Sequence, residues 1–319
     1  MDKQIVHIFN EMEDEYDEIE DLWYSWIFSR LHFLIAKKIV SKWTSPKKVL
    51  DIGCGTGFQS FLYAKVGAEV TGIDISDRLI AVAEKKLKHF NPKKFLTFFE
   101  PKFKFVERYD ALINKYLDKV APEKFVAPVF AIGDAQCIDA PDEYFDHINC
   151  CGSTFSFVPD YAKAISEIHR TLKKGGTFVL EVESKNNMDL YWPILDSSIF
   201  FGKLEYETSF KEAITQSFGN VGQHIQVEYP FGDVKNPVYM NIRLFKKRKL
   251  IQELRASGLK VTKSYSIHSV TNLLPSTLLD SGNPGFFTRT YFRFLRKIEQ
   301  IIPFNLPGCS LVLMGEKVT

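Results

Sequence analysis

The stretch Val49 to Ser60, VLDIGCGTGFQS, restricts what this chain can fold into more than any other. An apolar run ends in an acid and is followed at once by Gly53, Gly55 and Gly57. The run reads as a buried strand, and the glycines allow positive φ and close backbone approach in the turn after it. A strand feeding a helix through a glycine-rich turn opens a βα unit, and repeated units imply a parallel sheet covered on both faces. The dinucleotide fingerprint is GxGxxG, whose third glycine permits close helix–strand packing. Here the spacing is GxGxG, and Phe58 stands where that last glycine belongs.

The alternation continues downstream. Lys48–Ile52 reads as the first strand and Phe58–Val66 as a helix ended near Gly67. Glu69–Ile73 is the second strand, before a helix from about Asp77 to Phe90 with Ser76 as N-cap and Leu79, Ala83, Leu87 and Phe90 as its stripe. Val129–Ile132 and Phe145–Cys150 read as strands three and four. Tyr161, Ile165, Ile168 and Leu172 mark one face of a helix, Lys173, Lys174, Gly175 and Gly176 end it, and Thr177–Val182 is a fifth strand. A helix over 246–256, a strand Leu259–Ser266, a helix over 288–300 and a strand Ser310–Lys317 complete the pattern. The expected fold is α/β: a Rossmann-like, seven-stranded, mostly parallel sheet with helices on both faces. To it are added an N-terminal helical cover, 1–45, and lid segments inserted into the main domain, 46–319, at about 91–127 and 185–245. The second insertion contains Gln223–Glu228 and Val238–Leu244, a hairpin outside the main sheet.

Residues 11–21 hold eight acids and no base, and Lys37 and Lys38 lie at the far end of the segment that follows. Acids first and bases last complement a helix dipole, which predicts one long helix over roughly 15–43 with Leu22, Trp26, Phe33, Ala36 and Val40 as its apolar stripe. A net charge of +2 argues against bulk nucleic-acid binding. With 28 Phe, 13 Tyr and 4 Trp, the chain has aromatic surface suited to an apolar or cationic ligand. The five cysteines form no CxxC pair and read as reduced thiols, with no metal set. The acidic N-terminus is unlike a signal peptide, and LWYSWIFSRLHFLIA is broken by Arg30 and His32, so no transmembrane segment and a cytoplasmic location are expected. Lys246–Lys249 reads as a solvated helix face, with docking on an anionic membrane or an acidic partner as the other use. Oligomeric state is left open.

Asp74 closes the second strand 23 residues after Asp51, where a carboxylate can grip a ribose diol. Gly133–Asp134–Ala135 closes the third and offers an acceptor for an adenine amino group. With DIGCGTG, GIDIS, GDAQ, FDHINC and EIHRTLKKGGTFVLE in this order, the chain resembles the class I S-adenosylmethionine-dependent methyltransferases. The likeness is to the small-molecule group that includes quinone and sterol methylases, over roughly 45–183 plus the two closing strands. The resemblance implies S-adenosylmethionine as cofactor, with Gly53, Cys54, Gly55 and Gly57 around its methionyl portion. Asp74 would take the ribose and Asp134 with Ala135 the adenine, with Asp51 and Ile75 beside them. The N-terminal helix would cover the cofactor and bring Tyr24 and Arg30 to its methionine end.

The acceptor side is read from CCGSTFSFVPD, Cys150 to Asp160. It lacks the Asn/Asp-Pro-Pro-Tyr/Phe motif of amino-group methylases of DNA, RNA and protein, and the Pro-Cys nucleophile of cytosine-5 enzymes. It is similar to the Cys-x-Gly-Asn-Ser-Phe stretch of glycine N-methyltransferases, with Ser153 in place of the Asn. That likeness implies that Cys151 and Gly152 present backbone to the cofactor, and that Ser153, Phe155 and Phe157 belong to the substrate pocket. Cys150 and Cys151 otherwise read as small residues closing a buried strand. In-line displacement from a sulfonium needs alignment above all, and a base only when the acceptor must lose a proton. No histidine stands out as that base: His147 and His169 fall within core elements, and His224 and His268 read as solvated residues of the cover. The function expected is methyl transfer to a small-molecule acceptor. The alternatives are a methylase of RNA or protein, or a non-catalytic binder of the cofactor.

Overall fold

The computed structural model describes residues 3–11, 22–45, 47–91, 112–120, 125–204, 206, 209–219, 222–231, 238–278, 285–302 and 306–318. Two helices, α1 (Lys3–Glu11) and α2 (Leu22–Lys38), precede β1 (Lys48–Ile52), α3 (Phe58–Lys65), β2 (Glu69–Asp74) and α4 (Asp77–Lys88). A short helix α5 (112–117) stands before β3 (Val129–Ile132) and β4 (Phe145–Cys150). One turn of helix, α6 (Thr154–Phe157), leads to α7 (Tyr161–Thr171) and β5 (Leu172–Glu183). The cover contributes α8 (Trp192–Leu195), α9 (Phe210–Phe218) and the hairpin β6 (Ile225–Phe231) and β7 (Val238–Leu244), which stays outside the main sheet. Then α10 (Lys247–Ala256), β8 (Leu259–Ile267), α11 (Phe286–Ile301) and β9 (Ser310–Lys317) close the chain.

The seven-stranded sheet has the order β3-β2-β1-β4-β5-β9-β8. Strands β1 to β5 pair in parallel, and β9 runs antiparallel between β5 and β8. The period of two along β1 sorts the core. Val49 faces a cluster with Phe61, Leu62, Val70 and Ala83, while Leu50 and Ile52 face one with Ile148, Ile165, Ile168 and Phe178. Ser76 caps α4 as expected, accepting from the Leu79 N–H at 3.1 Å.

Three local readings change. The expected helix over 15–43 is α2 over Leu22–Lys38, followed by a 3₁₀ turn over Val40–Lys42; residues 12–21 lie outside the described ones. Its far half is built into the main core, where Leu31, Leu34, Ile35 and Ala36 are buried with Val40. A separate helix, α1, precedes it, with Ile5, Ile8 and Phe9 at helical spacing. Third, Lys173–Gly176 does not end a helix: β5 already begins at Leu172, which pairs with Phe145. An irregularity between Phe145 and His147 absorbs the extra residues, Gly175 takes φ +74°, and Lys173 bonds Asp146 at 2.8 Å. Of the 91–127 insertion, residues 92–111 and 121–124 lie outside the described ones.

Candidate active site

The glycine turn is held from both sides. Gly53, Gly55 and Gly57 have φ of +66°, +51° and +88°, a region that costs an L-residue roughly 1–2 kcal/mol. The Gly53 and Cys54 N–H groups donate to the Ile73 carbonyl at 2.8 and 3.0 Å, tying the turn to the end of β2. A Cβ on Gly53 would stand 2.2 Å from the Thr154 side chain, so α6 packs directly on the loop. These contacts explain why the turn must be glycine.

Asp51 works behind the turn. Its carboxylate is buried, accepting from Ser60 Oγ at 2.6 Å and Asn149 Nδ2 at 2.7 Å. Burial pushes its pKa up to about 6, against the pull of those two hydrogen bonds. Asn149 also accepts from Tyr63 Oη at 3.0 Å and from the Cys151 thiol at 3.3 Å. Asp51 and Cys151 therefore position the loop and the end of β4 rather than lining the cleft. Ser60 and Asn149 carry no motif of their own, so sequence reasoning passed over them.

The acids that end β2 and follow β3 do face the cleft. Asp74 accepts from the Gly55 N–H at 2.8 Å and the Ser76 N–H at 2.9 Å, and burial raises its pKa against these bonds. A carboxylate has about four acceptor sites, so capacity remains beyond these backbone bonds. Burial also acts to raise the pKa of Asp134, but hydrogen bonds from the Gln136 backbone and side chain outweigh it and lower the pKa. Gln136, missed in the sequence, spans the site: its Oε1 accepts from the Asp160 N–H at 3.1 Å.

These groups converge on an open cleft. It is lined by the carboxylates of Asp74 and Asp134, by backbone at Gly53 and Gly152, and by apolar Ile5, Phe9, Ile75, Ala135, Phe157, Val158 and Pro159. Phe9 meets Phe157 edge-on, with centroids 5.7 Å apart. The helix over this cleft is thus α1, anchored by Asn10, which accepts from Ser76 Oγ and donates to Asp77. Other expected site residues stand elsewhere. Arg30 is buried in α2, where its charge acts on Glu299 and His268. The Tyr24 side chain lies outside the described residues. Phe155 is fully buried against Phe245 and Tyr161 rather than facing an acceptor. Cys54 is buried in the first core cluster, and Gly55 and Gly57 form the loop behind Gly53.

The turn after β4 is the other strained element. Gly152 has φ +78° with open space where a Cβ would point, and Ser153 has φ +61°. Ser153 is turned away from the cleft: its N–H donates to Glu181 and its Oγ to Glu183, both at 2.5 Å. Ser310 Oγ also donates to Glu181. Glu181 and Glu183 share one face of β5; burial raises both pKa values, and the Glu181 charge adds to the shift of Glu183. Burial likewise raises the Cys150 and Cys151 thiols, far from thiolate reactivity. His147 is pushed down to about 3 and His268 to about 4 by burial, so His268 is a core residue, not a solvated one. His224 is occupied on both nitrogens, by Glu253 and by the Lys246 N–H, each at 2.9 Å.

A parallel sheet of this order, with a glycine turn after β1 and acids closing β2 and β3, defines the donor half of a class I methyltransferase fold. An adenosyl group asks for a diol acceptor, an amino-group acceptor and a floor without Cβ atoms. Asp74, Asp134 and the Gly53–Gly152 floor fit it.

Comparison with known proteins agrees. Residues 44–228, more than half of the chain, match the model of a methyltransferase-domain family. The chain belongs to that family, an S-adenosylmethionine-dependent enzyme class. It is similar to the demethylmenaquinone methyltransferase of Staphylococcus haemolyticus, 29% identical over 196 residues, which cover 59% of this chain and 65% of the relative. The Staphylococcus aureus enzyme of the same name is 25% identical over 194 residues, 59% of this chain and 64% of the relative. The matched region thus spans less than two thirds of these relatives' length. Among solved structures, an S-adenosylmethionine-dependent methyltransferase of Methanosarcina mazei superposes with a TM-score of 0.50 at 18% identity, covering 86% of this chain and 94% of that one. A Haloferax volcanii methyltransferase, solved with the Trm112 activator, has a TM-score of 0.51 at 14% identity and covers 98% of both chains. These likenesses bear on the fold.

Proposed function

We propose that this chain transfers a methyl group from S-adenosylmethionine to a small, predominantly apolar acceptor by in-line displacement. The observation that carries the reading is the two-sided cleft, polar at Asp74 and Asp134 and apolar at Phe9, Phe157, Val158 and Pro159. The names of the curated relatives, methylases of demethylmenaquinone, point the same way.

The donor, when bound, supplies a sulfonium-activated methyl group. The chain supplies placement. Asp74 takes the ribose hydroxyls, with its own oxygens fixed by the Gly55 and Ser76 N–H groups. Asp134 and Ala135 take the adenine, while the Gly53 turn and Gly152 let the methionyl end approach backbone closely. Phe9 and Phe157 exclude water and hold the acceptor on the other side. Orienting two reactants replaces a bimolecular encounter and can remove several kcal/mol of barrier, on the order of 7–11 in the best cases. The histidines His147, His224 and His268 are packed or bonded away from the cleft, so rate comes chiefly from alignment.

The test is incubation with isotopically labelled donor and a small-molecule extract, followed by mass spectrometry. A labelled apolar metabolite is expected. Label confined to RNA or protein would overturn the acceptor class.

A further inference from the structure

Helix α11, FFTRTYFRFLRKIEQI, presents different faces at about 3.6 residues per turn. Phe292, Leu295 and Glu299 point inward, where all three are buried. Glu299 holds the helix in place, accepting from the N–H groups of His268 and Thr271 at 2.9 Å and from Thr271 Oγ1 at 2.5 Å. A second face carries Phe287, Tyr291, Phe294 and Ile301, bordered by Phe286, and it is open: Phe286 is 76% exposed, Phe287 86% and Ile301 85%. Exposed Arg293 and Lys297 flank that face on one side, while Arg289 and Arg296 lie further round the helix and engage other groups. The helix's one acid, Glu299, is spent inward.

Isolated apolar residues on a surface need no explanation, but a run of aromatic side chains on one helix face does. A basic stripe beside an aromatic face, with no outward acid, complements a surface whose apolar interior is edged by anions. A bilayer with acidic lipids is such a surface. We propose that α11 docks this chain on anionic membranes, lying in the interfacial plane with Phe286, Phe287, Phe294 and Ile301 among the acyl chains. No described helix is long and apolar enough to cross a membrane, so the contact is peripheral. The helix sits on the sheet edge that also holds the cleft: β8 and β5 are both antiparallel to β9, so the end of β8 that carries His268 lies with the carboxyl ends of β1 to β5. A docked chain therefore turns its cleft edge toward the lipid. This docking stands on the helix alone and does not depend on the identity of the methyl acceptor.

The experiment is co-sedimentation of the full chain with vesicles of phosphatidylcholine alone and of phosphatidylcholine with one quarter phosphatidylglycerol, with light scattering in parallel. Binding to the anionic vesicles is expected, at least roughly tenfold tighter than to the neutral ones and weakened by salt. The exposed triple variant Phe286→Ser, Phe287→Ser, Phe294→Ser should weaken it by roughly a hundredfold, and Arg293→Gln with Lys297→Gln by roughly tenfold. Affinity for S-adenosylmethionine should stay within twofold in both variants, which separates this claim from that of methyl transfer. No sedimentation with anionic vesicles, or equal binding by the serine variant, would overturn the proposal. So would a chain dimer in solution that the serine variant splits, since the face would then join two copies.

Discussion

The two walls of the cleft are built on different principles. The wall proposed for the donor is built on loops whose groups are pinned by hydrogen bonds, Gly55 to Asp74 and Gln136 to Asp134, with Ser60 and Asn149 fixing Asp51 behind it. The wall proposed for the acceptor is made of side-chain packing, Phe9 on Phe157 with Ile5 and Val158 beside them, carried by the short helices α1 and α6. One wall has a geometry that a single donor molecule requires. The other needs only to be apolar and well placed, and many sequences satisfy that.

The contrast can be broken most sharply at Gly53. Gly53→Val should collide with Thr154 and force an unfavourable φ, costing about 3 kcal/mol or more and abolishing donor binding. Gly152→Ala shares the positive φ but has open space, so only about 1–2 kcal/mol should be lost. Chemical denaturation of both variants checks this, and equal costs would remove the packing argument.

Asp51 gives an effect of comparable size as a function of pH. A carboxyl whose folded pKa lies above its unfolded value holds its proton better in the folded chain. The folded state therefore loses relative stability as pH rises from about 4 to about 6. A rise from the ordinary value of 3.8 to about 6 corresponds to about 3 kcal/mol. Urea midpoints at pH 4, 5 and 6 should show this loss in the parent chain, and the difference from Asp51→Asn should carry its slope. Parallel profiles in the two chains would show that Asp51 is not the group responsible.

Next in size is Asp74→Ala. It should weaken donor binding by roughly 1.5–3 kcal/mol, the scale of a hydrogen bond to a charged group. Unchanged affinity would remove the ribose assignment. Phe9→Ala on the acceptor wall should be the mildest, losing an edge-on pair worth about 0.5–1.5 kcal/mol beyond its buried area. Its effect should appear in the acceptor KM with donor affinity nearly unchanged; an effect on the donor as large as that of Asp74→Ala would merge the two walls into one.

The same division explains what could be read from the chain. Strands β1, β3, β4, β7 and β9 have the bounds read from the sequence; central β1, parallel to both neighbours, is buried from Val49 to Ile52 and so reads as an apolar run. Asp74 and Asp134 were legible because each follows a strand at the sheet's carboxyl edge, and Gly53 because its turn tolerates no side chain. Asn149 was not, since its partners Asp51 and Tyr63 are remote in sequence; Ser60 and Gln136 stand nearer the carboxylates they bond, but a lone serine or glutamine there carries no signature of its own. Phe155 and Phe157 differ by two positions within one turn of helix, and only the packing of Phe245 decides which is core and which faces the cleft. The start of β5 at Leu172 was hidden for a similar reason: Lys-Lys-Gly-Gly is an ordinary helix ending, and its pairing with β4 overrides that local preference.

The most direct test of the central claim is a calorimetric titration of the folded parent chain with S-adenosylmethionine alone. The account predicts saturable one-to-one binding that Asp74→Ala weakens by roughly tenfold to a hundredfold. A folded chain that shows no binding would contradict it.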